Sequence, residues 1–167
     1  MPSTTPKSVT FYRPGEYSPE ESVGYLMRQV LSSVVNQADA RLVDWDLTHA
    51  QWLPLFKLRA DASHTVASLA RTLDTDPGAM TRSLDRLEAK GLVVRERSTT
   101  DRRVVHLRLT TEGQRVADQV PPVLAGVLNG HLAGFTKAEW QTLLQLLTRM
   151  LVNGEAMRAS TTPTTNE

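Results

Sequence analysis

The feature that most constrains the fold is the run from Val66 to Thr110, in which helix, break, helix and strand patterns follow one another. Val66, Leu69, Ala70 and Leu73 recur at i, i+3, i+4 and i+7, the buried stripe of a short helix. Asp74-Thr75-Asp76-Pro77 then breaks the pattern. Asp76 suits an N-cap, because its carboxylate accepts from a free N–H of the first turn, and Pro77 suits the first helical position, where no N–H is needed. The helix predicted from Pro77 to Ala89 turns Met80, Leu84 and Leu87 to one side. At about 100° per residue, Gly78, Arg82, Asp85 and Arg86 fall toward the opposite face, with Thr81 on its flank. Gly91 follows as the stop signal.

Two short apolar segments come next, Leu92 to Val94 and Val104 to Leu109, the second alternating with the period of a half-buried strand. The charged stretch Arg95 to Arg103 separates them. Lys90 to Arg108 holds six Lys or Arg against two acidic residues, in a chain whose whole formal charge is +1. Two short helices followed by a basic hairpin predict a winged helix-turn-helix, mainly α with a small β wing. The second helix of such a unit can enter a major groove, and the hairpin can reach backbone or minor groove. A charged hairpin alone is often only a solvated face. The two signals joined in one run point to DNA.

The run TRSLDRLEAKGLV, Thr81 to Val93, resembles the recognition helix of the multiple-antibiotic-resistance regulator (MarR) family. Asp101-Arg102-Arg103, followed by Leu109-Thr110, resembles that family's wing signature, Asp-x-Arg and then a strand ending in Leu-Thr. The resemblance covers roughly residues 20 to 157. It implies a dimer whose two recognition helices read a near-palindromic site. It also implies that Arg103 enters the minor groove with Asp101 holding its guanidinium, and that small aromatic carboxylates act as effectors.

Composition narrows the function further. A net charge near zero means that any DNA contact comes from a local patch, which the wing supplies. The chain has no cysteine, which excludes disulfides, thiolate catalysis and thiol redox sensing, and with them the oxidant-sensing branch of the family. His49, His64, His106 and His131 lack ligand spacing, so neither a metal nor another cofactor is expected. The chain shows no Ser/His/Asp constellation, phosphate loop or carboxylate pair, so an enzyme is not expected. Its apolar runs fall short of the ~18 residues of a membrane span, and Met1 to Ser8 has no apolar signal core, so a cytoplasmic chain is expected.

The remaining segments frame this unit. Residues 1–19, rich in Pro, Ser and Thr, predict a mobile arm, although Phe11, Tyr12 and Tyr17 are unusual there. A long helix is predicted from Glu20 to Trp45, with an apolar stripe through Val23, Met27, Val30, Val34, Ala38 and Leu42. Thr48 with Gln51, and Leu47 with Trp52, form a capping-box and staple pattern for a helix fading near Arg59. Thr65 caps the helix after it. Another helix is predicted from Thr110 or Thr111 toward Leu132, broken or kinked by Pro121-Pro122. A last helix, opened by Thr136 and Glu139, is expected to bury Trp140, Leu143, Leu144, Leu147, Met150 and Leu151. The predicted organisation is therefore a DNA-binding lobe over residues 46–110, dimerisation helices over 20–45 and 111–157, and a disordered tail over 158–167. Excess apolar surface on the first and last helices suggests burial against each other and a second copy.

The residue types suggest roles. An Arg can pair with guanine through two hydrogen bonds and a Thr can read a neighbouring base, which makes Arg82, Arg86 and Thr81 the base-reading candidates. Gly78 lies on the same face. Arg95 and Arg97 are expected on phosphates, which position the protein without specifying sequence. Trp45 and Trp52, with Tyr25, Arg28 and His49, would give an aromatic acid flat apolar walls and a cation. The competing possibility is that both Trp are ordinary core. Two functions follow: a repressor released from double-stranded DNA by such an acid, or an architectural DNA-binding protein with no effector.

Overall fold

The computed structural model describes residues 9–61, 63–98 and 104–161, without the side chain of Thr161. The chain divides into two compact units, Met1–Val127 and Leu128–Glu167.

The first unit opens with the helix α1, Val23–Arg41. Its free N–H donors need acceptors. The Ser22 hydroxyl accepts from the Tyr25 N–H at 3.2 Å, and the Tyr12 hydroxyl accepts from the Val23 N–H at 3.0 Å. Tyr12 also packs edge-on against Tyr17, with ring centroids 5.7 Å apart. The arm thus touches the start of α1 through Tyr12. The helix is shorter than expected, because single 3-10 turns flank it at Pro19–Glu21 and Val43–Trp45. Asp46 then turns the chain with φ at 52°.

Helix α2, His49–Ala60, starts as the sequence predicts, with the Thr48 N–H donating to Gln51 Oε1 at 3.2 Å. Leu47 and Trp52 both enter the core. Pro54 sits inside α2 and is buried; lacking an N–H, it leaves the Ala50 carbonyl without its helical donor. The Ser83 hydroxyl donates to that carbonyl instead. Helices α3, Val66–Thr72, and α4, Pro77–Ala89, are capped as expected: the Thr65 hydroxyl accepts from the Ser68 N–H at 3.2 Å and the Asp76 carboxylate from the Ala79 N–H at 2.8 Å. Gly91 leaves α4 with φ at 69°, a left-handed conformation that glycine adopts without Cβ strain.

Strand β1, Val93–Arg97, pairs antiparallel with β2, Val105–Leu109, so that Val93 faces Leu109, Arg95 faces Leu107 and Arg97 faces Val105. The residues before α3 add a third segment, since the His64 carbonyl accepts from the Leu107 N–H at 2.9 Å and Thr65 bridges His106. Thr110 locks the hairpin to helix α5, Thr111–Ala117: its hydroxyl accepts from the Gly113 N–H at 2.9 Å and donates to the Gly91 carbonyl at 2.7 Å. A Cβ on Gly113 would lie 1.8 Å from the Leu92 carbonyl oxygen, so only glycine lets α5 approach this closely. The helix predicted from Thr110 is interrupted at Asp118 and Gln119. It restarts as α6, Val120–His131, with Pro121 and Pro122 in the first turn, where no N–H is missed.

One cluster joins these elements. Leu42, Leu55, Leu69, Leu84, Leu87 and Leu107 are fully buried in it, together with Val116, Ala117 and Val120.

In the second unit, Gly134 turns the chain at φ 86° into helix α7, Lys137–Thr161. Glu139 Oε2 accepts from the Thr136 N–H at 2.8 Å and the Thr136 hydroxyl accepts from the Glu139 N–H at 3.2 Å, a reciprocal box. Within the single chain the α7 stripe is not covered. Trp140, Leu143, Leu144, Met150 and Leu151 are exposed, Leu151 by 66%, and only Leu147 is half-buried. Helix α7 also runs past Met157, where the tail was expected to begin, because Arg158, Ala159 and Ser160 tolerate a helix and no breaker precedes Pro163. Among the described residues no helix is long and apolar enough to cross a membrane.

Candidate nucleic-acid interface

Helix α4 carries the candidate surface because its other side is held firmly. Met80, Leu84 and Leu87 are buried in the core, and the buried Ser83 adds its hydrogen bond to α2. At the far end the Lys90 ammonium reaches Asp46 Oδ2 at 2.9 Å and donates to the Asp46 carbonyl, fixing the helix end to the turn before α2. These restraints leave one face for solvent. Gly78, Thr81, Arg82, Asp85 and Arg86 are all exposed on it.

The Thr81 hydroxyl donates to the Pro77 carbonyl at 2.9 Å and keeps its acceptor lone pairs, and the residue is exposed. Arg82 folds back toward the helix start, with Nη1 3.4 Å from where a Cβ of residue 78 would stand. A Cβ at this position would press on the Asp76 cap, 3.2 Å from its Oδ1, and only touch Arg82. Among the described residues, neither Arg82 nor Arg86 takes part in an ion pair.

The wing is graded along its inner face. Val93, Leu107 and Leu109 make an apolar root, Arg95 follows, and Arg97 stands exposed ~6–7 Å further out on the same face of β1. On the outer face Arg108 Nε pairs with Glu96 Oε2 at 2.6 Å. Arg95, expected on phosphate, is engaged inside the molecule. Its Nη2 meets Asp85 Oδ1 at 2.7 Å and its Nη1 meets the Glu88 carboxylate, with only 25% of its side chain exposed. Burial works against the charged guanidinium, but the hydrogen bond to Asp85 and the charges of Glu88 and Asp85 outweigh it, so its pKa is raised. Sequence reading missed this pairing. Asp85 and Glu88 are neighbours at i, i+3 on the helix surface, but nothing local shows that β1 returns beside them. Asp101 and Arg103 lie outside the described residues.

The five residues expected to hold a ligand do not converge in one chain. Trp52 is buried, donates its indole N–H to Asp39 Oδ1 at 2.7 Å, and stacks edge-on with His49 at 4.8 Å between ring centroids. Trp45 packs half-buried against the same core. Tyr25 and Arg28 pair with each other, the guanidinium 5.3 Å from the ring centroid, near the opposite end of α1. At 1.5 Å per residue, about 16–17 Å of α1 lies between Arg28 and Asp39, where Trp52 is bonded. Within one chain the five residues expected to line one pocket thus fall into two groups, and Trp52 belongs to the core.

Comparison with known proteins agrees with this geometry. Residues 47–105 match the MarR family. The chain is 36% identical over 127 residues to the multiple antibiotic resistance protein MarR of Escherichia coli, covering 72% of this chain and 88% of that protein. The crystal structure of a mutant E. coli MarR complexed with operator DNA superposes with a TM-score of 0.70 at 32% identity, over 77% of this chain and 92% of that one. The structure of BpsR from Bordetella bronchiseptica, described as showing how 6-hydroxynicotinic acid regulates its DNA binding, gives a TM-score of 0.72 at 25% identity, over 80% and 96%. A capped recognition helix, a two-stranded wing and these relatives place the chain in the MarR family of winged-helix DNA-binding transcriptional regulators.

Proposed function

We propose that the protein is a dimeric repressor that reads a near-palindromic operator and is released from it by a small aromatic carboxylate. The observation that carries the DNA part is the solvent face of α4, where Arg82 and Arg86 form no ion pair among the described residues, on a helix locked to the core behind them. Two such helices, one per subunit, suit successive major grooves about one helical turn apart. Arg82, Arg86 and Thr81 take the base edges, Gly78 permits close approach, and Arg97 takes phosphate. Arg103 in the minor groove, oriented by Asp101, follows from the family pattern alone.

The effector proposal draws on BpsR, whose ligand is itself an aromatic carboxylate. In this chain the pair that suits such a molecule is Arg28, whose cation already lies over the Tyr25 ring. By linkage, the acid must bind free protein more tightly than the DNA complex, by the factor with which it weakens operator binding. A tenfold effect needs only about 1.4 kcal/mol, within reach of one charged contact. Titration of the DNA complex with benzoate-, aryl-acetate- and cinnamate-like acids should release operator at millimolar concentration or below. The Arg28→Ala variant should bind DNA normally but not respond. Operator binding indifferent to every acid would leave an effector-independent architectural protein as the better reading.

A further inference from the structure

Helix α4 carries two arginines, Arg82 and Arg86, against two acids, Asp85 and Glu88, so by itself it presents no net positive charge to DNA. Asp85 and Glu88 are one helical turn apart, on the side toward the wing. Arg95 reaches both from β1, with the Asp85 contact at 2.7 Å, and is three-quarters buried while doing so. Opposite it on β2 stands the fully buried Leu107, so the stem of Arg95 rises from the apolar root of the hairpin. The guanidinium is a planar fork that can serve two carboxylates at once, which a single ammonium cannot do in the same geometry.

We infer that Arg95 is a positioning residue for DNA binding: it masks the two carboxylates flanking the reading face of α4 and sets the angle between that helix and the wing. This rests on the DNA-binding reading above and assigns Arg95 no phosphate. Without it, Asp85 and Glu88 repel the approaching backbone and the hairpin loses its one ionic tie to the recognition helix among the described residues. With the two acids neutralised, the masking role has no object, and loss of Arg95 matters little.

The test is a cycle of four proteins, wild type, R95M, D85N/E88Q and the triple variant, each checked for an intact thermal transition. Binding is measured on a duplex that the wild type selects from a random library, across a range of salt. R95M should weaken binding roughly ten- to a hundredfold in the native background and only a few-fold in the D85N/E88Q background, a coupling expected of residues in one ionic network. Because salt screens the repulsion by the unmasked carboxylates, the R95M deficit should shrink as salt rises in the native background, while in the D85N/E88Q background R95M should leave the salt slope unchanged, since no phosphate contact is lost. R95K should resemble R95M, since its charge is kept but the fork is not. Equal losses in both backgrounds, a slope lower by about one even with Asp85 and Glu88 neutralised, and rescue by lysine would assign Arg95 to phosphate and overturn the inference. No loss in either background would overturn it as well. A wild type that selects no duplex would instead remove the DNA-binding reading on which the inference stands.

Discussion

At the scale of single residues, several positions are explained only by a neighbour distant in sequence. Ser83 lies on the buried side of α4, where a leucine or alanine would satisfy the helical pattern as well. Its hydroxyl is required because Pro54 has removed the amide that the Ala50 carbonyl would otherwise accept from. Ser83→Ala should therefore leave a buried acceptor unsatisfied and cost about 1–3 kcal/mol of stability, read as a lowered denaturant midpoint. In a Pro54→Ala background the helix can satisfy Ala50 itself, and the same serine substitution should cost markedly less. Equal costs in the two backgrounds would show that the pairing of Ser83 with Ala50 does not carry the effect. Gly113 is of the same kind: its reason is the Leu92 carbonyl, and nothing in the pattern around Thr110 announces it.

At the scale of elements, the recognition helix and the wing should fail differently when altered. Arg82→Ala should cost about 1–3 kcal/mol on the selected site and relax preference at particular base pairs. Arg97→Ala should weaken specific and random DNA alike and lower the salt slope by about one unit. Binding isotherms on both kinds of DNA check this, and identical profiles for the two variants would refute the division of roles. Much of this region was legible beforehand because its signals are local: Asp76 and Pro77 start α4, Gly91 ends it, and the 3.6-residue period chooses its faces. What was not legible depends on tertiary return. The pairing of Arg95 needs the course of β1, and separating Tyr25 and Arg28 from Trp45, His49 and Trp52 needs the length of α1. Sequence closeness of Trp45, His49 and Trp52 reflected packing at one helix junction. The aromatic and cationic residues of the other group belong to the far end.

At the scale of the whole molecule, the exposure of the α7 stripe in the single chain is informative. Its apolar stripe has the pattern of a core helix, yet Trp140, Leu144, Met150 and Leu151 remain exposed within its unit. On α1, Leu26, Val30 and Leu31 are exposed likewise, Leu31 by 62%. Contiguous exposed apolar residues of this extent mark surfaces meant for a partner, and a second copy of the chain is the partner we propose. Sedimentation at micromolar concentration should show a dimer, and Leu31→Glu or Leu151→Glu should shift it toward monomer with loss of operator affinity. A wild-type monomer that bound the site tightly would contradict the symmetric arrangement.

The account's central claim, that two copies of α4 read two half-sites, is tested most directly by footprinting the wild type on the DNA around its own gene. The account predicts one short protected region containing two related half-sites about 10 base pairs apart, centre to centre, lost with Arg82→Ala at unchanged protein concentration. Even protection along the fragment, with no preferred site and no dependence on Arg82, would contradict it.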